Sequence, residues 1–285
     1  PATLARSQFA GLPIKRPSAD ELRGPLESDR PPMPGLLAKR ATDAPLSLHP
    51  VATRVERYRA KGEPVVYARD DVGITASFTL RQQDARLELV RQLGGDEQTE
   101  AAVERGLAWL AAHQGPEGNW SLHNLHCKGH QCDAAGSVQS DAAATALALL
   151  PFLGAGHTHT QGKYIETVRR GMLWLIAHQK PDGDLSVTGG QPQMYSHALA
   201  TITLSELFGM SGDRILYGPT TQALRFISEA QDPNSGGWRY TPRSGGDTSV
   251  VGWQLMALKS GEMAGFHVPP QVYERAGRWL DATAS

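Results

Sequence analysis

Cysteine is nearly absent from this sequence: Cys127 and Cys132 are the only two in 285 residues. So few, five positions apart, make no disulfide framework, and they leave the redox compartment open. Charge bias is missing as well. With 28 basic and 29 acidic side chains the net charge is −1, so no field favours nucleic acid or an anionic membrane surface. The longest apolar run, Ala142 to Leu153, is 12 residues and contains Thr145 and Pro151; it cannot span a bilayer as a lone helix. No charged-then-apolar signal segment comes after Pro1, and a start at Pro rather than Met reads as a processed protein or a piece of a longer one.

Apolar residues still make up 40% of the chain, enough to fill a core. Ten of the 19 prolines fall in the first 64 residues, mixed with charge and without apolar periodicity, so residues 1–64 read as a Pro-rich, poorly ordered arm or linker. Residues 65–95 read as a leading segment that covers the open end of a repeat array. Leu87, Val90 and Leu93 have helical spacing there, and Gly94-Gly95 would end that helix.

Residues 96–285 are organised by repetition. Arg105 to Trp120 carries the phrase Arg-Gly, Trp109-Leu110, Gln114, Gly118 and Trp120. It returns at Arg170 to Leu185, more weakly at Gln222 to Trp238, and begins again at Ala276-Gly277-Arg278-Trp279-Leu280. Taking Gly106, Gly171, Ala223 and Gly277 as equivalent gives spacings of 65, 52 and 54 residues, each room for two short helices and their connections. Caps support that parsing. Asp96 or Thr99, Ser140-Asp141, and Asp247 or Thr248 can each begin a helix, Pro219 and Pro270 can open two others, and Pro151 should break the Ala/Leu-rich one.

Within each copy the aromatic and aliphatic pair is expected to pack the outer helix. Gln114, Gln179 and Gln231 should each join a carbonyl at one helix terminus to an N–H at the next, with a following Gly at positive φ and Trp120 or Trp238 shielding the junction. These are structural staples. The phrase resembles the QW repeat of squalene and oxidosqualene cyclases and the related repeats of protein prenyltransferase β subunits, over residues 96–285. The resemblance implies an all-α fold, an α/α toroid of hairpins whose inner helices line a central cavity. Here about three and a half hairpins make a partial ring, which the arm, a partner chain or a second copy would complete.

In such a toroid the N-termini of the inner helices rim one mouth of the cavity, placing Asp141, Tyr195, His197, Asp247, Thr248 and Ser249 there. Helix N-termini favour anions, and the same residues are also ordinary caps. Asp247 matches the zinc-binding Asp of the prenyltransferases, but Ser249 stands in place of the Cys, and Arg239 and Arg243 lie nearby as phosphate contacts outside the family register. The Asp-x-Asp-Asp acid motif of the squalene-hopene type is absent, and aromatics are only 7% of the chain. Trp253 and Gln254 do resemble a cyclase stretch.

Residues 122–133 gather His123, His126, Cys127, His130, Cys132 and Asp133. A zinc site on Cys127, Cys132, His126 and His130, a disulfide, and an unliganded polar loop are all compatible with that pattern. His157-Thr158-His159 reads as a solvated loop. Two functions are consistent with the sequence: a cavity binding an apolar, isoprenoid-class ligand, with Asp247 as the acid or anion-facing group, or a noncatalytic binding or scaffold domain that kept the ring and lost the chemistry.

Overall fold

The computed structural model describes Phe78, Arg81 and residues 83–127, 132, 136–187 and 193–284. The arm of residues 1–64 lies outside these. The described residues form eight α-helices and no strands. They are α1 (Gln83–Gln92), α2 (Glu97–Ala112), α3 (Asp141–Gly154), α4 (Ile165–Ala177), α5 (Gln193–Ser211), α6 (Tyr217–Ala230), α7 (Thr248–Met263) and α8 (Pro270–Thr283).

Two layers result, as the toroid fold requires. The inner helices α3, α5 and α7 pack side by side, α5 in the middle, and the outer helices α2, α4, α6 and α8 lie against them. The inner helices run parallel. At their N-terminal ends Ser140 bonds Ser196 (2.7 Å) and Tyr195 bonds Ser249; at the other end Phe208 packs on Phe266. Small side chains let the inner layer close up: Ala142, Ala143, Ala144, Ala146 and Ala148 of α3 are all buried.

The caps behave largely as the sequence implies. Asp96 and Thr99 form a reciprocal capping box on α2, Ser140 caps α3, Asp247 caps α7, and Pro270 occupies the first turn of α8. Pro151 does not end α3, which continues to Gly154. Pro151 is exposed, as is Leu147 one turn before it, so the hydrogen bond that proline removes is lost on the solvent side. The segment 157–159 is not a solvated loop either. His157, Thr158 and His159 are buried, and His159 Nε2 meets Asp213 at 3.0 Å where Asp213 caps the 3-10 turn before α6.

The repeated glutamine makes one bond pattern three times, and it differs from the expected carbonyl-plus-N–H bridge. Gln114 Nε2 donates to Gly118 O (2.8 Å) and Thr167 O (2.9 Å). Gln179 Nε2 donates to Gly183 O (3.1 Å) and Pro219 O (2.9 Å), and Gln231 Nε2 to Gly236 O (2.8 Å) and Val272 O (2.9 Å). Both amide hydrogens are therefore spent on carbonyls, one in the glutamine's own loop and one in the first turns of the next outer helix. Trp120 and Trp238 lock the loops by donating to Leu110 O and Ile227 O, both at 2.8 Å. Leu185, the Trp substitute of the second copy, is fully buried but has no side-chain N–H to donate.

These contacts correct the register of the fourth copy. Gly118, Gly183 and Gly236, all at positive φ, back onto the main chain of Arg170, Gln222 and Arg275 respectively. Arg275 is thus the equivalent of Arg170, and Ala276 rather than Gly277 corresponds to Gly171 and Ala223. Ala276 is fully buried, whereas a Cβ on Gly277 would meet open space. A second correction concerns Trp109, which is 50% exposed while its equivalents Trp174 and Phe226 are buried; α2 is the first outer helix of the array.

Two substitutions test this register. Gly277→Ala should raise stability by about 0.5–1 kcal/mol, because helix propensity improves without a clash. Gly236→Ala, with φ of 82° and a Cβ 2.5 Å from Arg275 O, should lower it by about 2–4 kcal/mol in denaturant titrations.

Candidate functional site

The parallel inner helices bring their N-termini to one rim. Asp247 is its centre: Oδ1 accepts from Ser249 N (3.0 Å), Val250 N (3.2 Å) and the Ser249 hydroxyl (2.6 Å), while Oδ2 accepts from Tyr240 OH (3.3 Å). The Ser249 hydroxyl and the Val250 N–H hold its carboxyl below the usual carboxylate range. That suits a helix cap. A proton donor needs the opposite shift, so the geometry offers no support for Asp247 as an acid.

Beside it stands Tyr195, bonded to Ser249 and stacked on Tyr240 at 6.3 Å between ring centroids; Asp141, at the start of α3 on the far side of α5, accepts from Asn119 (3.4 Å) and lies 3.8 Å from His123. The starts of α3 and α7 are served by their own side chains, Ser140 on Ala143 N and Asp247 on Ser249 N and Val250 N. Arg239 is exposed and lies over the Tyr240 ring at 5.5 Å; Arg243 is exposed at φ 58° with its N–H on Ala230 O. Trp253 is half-buried on α7 against the core, and its neighbour Gln254 is buried and donates to Met194 O (2.9 Å), tying α7 to α5.

His197 belongs elsewhere. It is fully buried in the wall between α5 and α6, where Nδ1 accepts from Leu185 N (3.0 Å) and Nε2 faces Ala223 O (3.1 Å). Those partners assign the neutral ring with its proton on Nε2, so this histidine joins a hairpin rather than lining a cavity. Beside it Asp184, absent from the sequence candidates, is a buried carboxylate. It accepts from Ser186 N, Ser186 Oγ and Gln193 Nε2 (each 2.8 Å) and from Lys180 Nζ (2.7 Å). Burial alone would push its carboxyl up. His197 Nδ1 is 3.6 Å away with its lone pair committed to Leu185, so it is the Lys180 ammonium and the Ser186 N–H and hydroxyl that hold it well below the usual range.

On the inner layer, the face of α5 opposite the outer helices carries Tyr195, Leu199, Ile202, Glu206 and Gly209 at helical spacing. The ring of Phe78, 1% exposed, lies directly on Gly209, and Arg81 pairs with Glu206 at 2.5 Å. The corresponding faces of α3 and α7 are open: Leu147 is 45% exposed, Met256 53% and Met263 38%.

The cysteine loop resolves into a specific arrangement. Cys127 and Cys132 are paired as a disulfide with Cα atoms 6.2 Å apart. The histidine beside them is His113, from the end of α2, whose Nε2 lies 3.3 Å from Cys132 Sγ. His113, Cys127 and Cys132 form a group able to hold a metal ion; His126 is outside it, its ring against Gly115, and His130 lies outside the described residues.

The Asp184 cluster predicts a pH response. Its folded pKa lies below the unfolded value of about 3.9, so its contribution is complete above that pH and fades as the pH falls further. Thermal melts of Asp184→Asn should show a lower Tm than wild type at pH 7, and the gap should narrow between about pH 4 and pH 2.

No curated protein matches the chain in sequence. Residues 85–195, from α1 into the first turn of α5, match the family model of the squalene-hopene cyclase C-terminal domain. The two-layered helices and their thrice-made glutamine junction agree with that match, which covers less than half of the chain and supports a terpenoid cyclase and prenyltransferase-like repeat architecture.

Proposed function

We propose that the chain is a noncatalytic toroid, a binding or scaffold domain that keeps the cyclase architecture without its chemistry. The observation that carries this reading is Phe78 on Gly209, with Arg81 paired to Glu206: two residues from ahead of the array occupy part of the α5 face that would line the cavity. The rim groups agree with it. Asp247 caps α7 as a carboxylate and His197 is bonded to backbone, so neither is placed for proton transfer to a hydrocarbon. In this role a partner chain or second copy would complete the layer along its open edges. A zinc ion on the Cys127–Cys132 loop would be structural, fastening the loop to the end of α2.

The exposed apolar side chains Leu147 on α3 and Met256 and Met263 on α7 favour a second reading, an isoprenoid-class ligand on the inner layer. Lipid extraction and mass spectrometry of natively purified protein separate the two. The scaffold reading expects less than about a tenth of an equivalent of any polyprenyl lipid and no turnover of squalene; about one equivalent, abolished by Met256→Asp, would establish the ligand instead. Phe78→Ala should cost about 3–5 kcal/mol of stability, as removal of a fully buried ring does.

A further inference from the structure

The first repeat is longer than the second by a defined insertion. Gly106 and Gly171 are 65 residues apart, whereas Gly171 and Ala223 are 52 apart, and the extra chain lies in the connection that holds both cysteines. The histidine that meets those cysteines is itself a repeat feature. His113 and His178 occupy the same place, stacked on Trp109 and Trp174 at 3.9 and 4.2 Å, with Nδ1 at 2.6 and 2.8 Å from the carbonyls of those tryptophans. A carbonyl only accepts, so Nδ1 carries the proton and Nε2 the lone pair in both rings. His178 is exposed. His113 is 3% exposed, and its Nε2 faces Cys132 Sγ at 3.3 Å.

An imidazole whose Nδ1–H is fixed by a backbone carbonyl, with Nε2 aimed at sulfur, has the arrangement of a zinc ligand and its supporting hydrogen bond. Reduction would turn both disulfide sulfurs into thiols whose thiolates are metal ligands, gathered with an Nε2 that already points at one of them. We infer that His113 is the third ligand of a zinc-class site that exists only when Cys127 and Cys132 are reduced, so that the insertion switches between a disulfide and a metal-bound form. This rests on the zinc reading of the loop above and replaces His126 and His130 as its nitrogen donors. The steps balance: two thiols reduce the disulfide and leave as their own disulfide, giving two cysteine thiols, and one divalent ion then displaces both thiol protons.

The test titrates the full chain with Zn2+ against a chromophoric chelator, oxidised and after reduction with dithiothreitol that is removed anaerobically. Reduced protein should bind about one equivalent and oxidised protein less than about a tenth. His113→Ala should weaken binding at least about tenfold, and His178→Ala, the same residue in the next repeat, should not. In NMR spectra of the reduced wild type, Zn2+ should move the His113 imidazole signals and leave those of His178 in place, which tests the ligand without a variant that could misfold. No binding by reduced protein would overturn both the zinc reading and the switch. Binding indifferent to His113→Ala with an unmoved His113 signal would overturn the ligand assignment alone, and binding by the oxidised protein would overturn the exclusivity.

Discussion

The two amide hydrogens of each repeat glutamine are the constraint on which the layer depends. One goes to a carbonyl of the glutamine's own loop and the other to a carbonyl early in the next outer helix, so a single side chain sets both the turn and the approach of the following repeat. Glycine is dictated by the same constraint. The loop must pass so close to the next helix that a Cβ at Gly118 would stand 2.7 Å from Arg170 O, and each such glycine sits at positive φ. Buried amides and carbonyls are costly unless paired, which explains why the junction is built identically three times while the helices around it vary.

That junction is legible in sequence because it is local and repeated: Gln, then Gly, then Trp, at fixed short spacing. The register of its faint copy is not, because Arg275-Ala276 and Ala276-Gly277 both imitate the opening of the phrase. Counting back three positions from Trp279, as from Trp109 and Trp174, leads to Ala276, and the glycine at 277 is a distraction. The rim is legible for a similar reason, since caps are written in single residues. His197 is misplaced by sequence reasoning because its neighbours Leu185 and Ala223 come from other elements, and nothing near it in sequence announces them.

Phe78 and His113 are invisible in sequence for different physical reasons. Phe78 lies before the array, and its site is the empty space left by a glycine 131 positions later, a relation between an aromatic and an absence. His113 looks like part of the staple phrase, which it is; only the fold lays the cysteine insertion on its second nitrogen. Comparison with His178 exposes the difference, because the insertion is what distinguishes the surroundings of the two rings.

The staples also point in one direction. Every glutamine reaches forward to the helix after it, from the end of α2 to α4, from the end of α4 to α6 and from the end of α6 to α8. The array therefore has a direction. Losing a repeat from the front deprives its successor of a donor to one carbonyl, whereas losing one from the back strands an amide hydrogen of the repeat before it, and stranded N–H groups are tolerated less than carbonyls. Arrays stapled in this direction should therefore lose a leading repeat more readily than a trailing one.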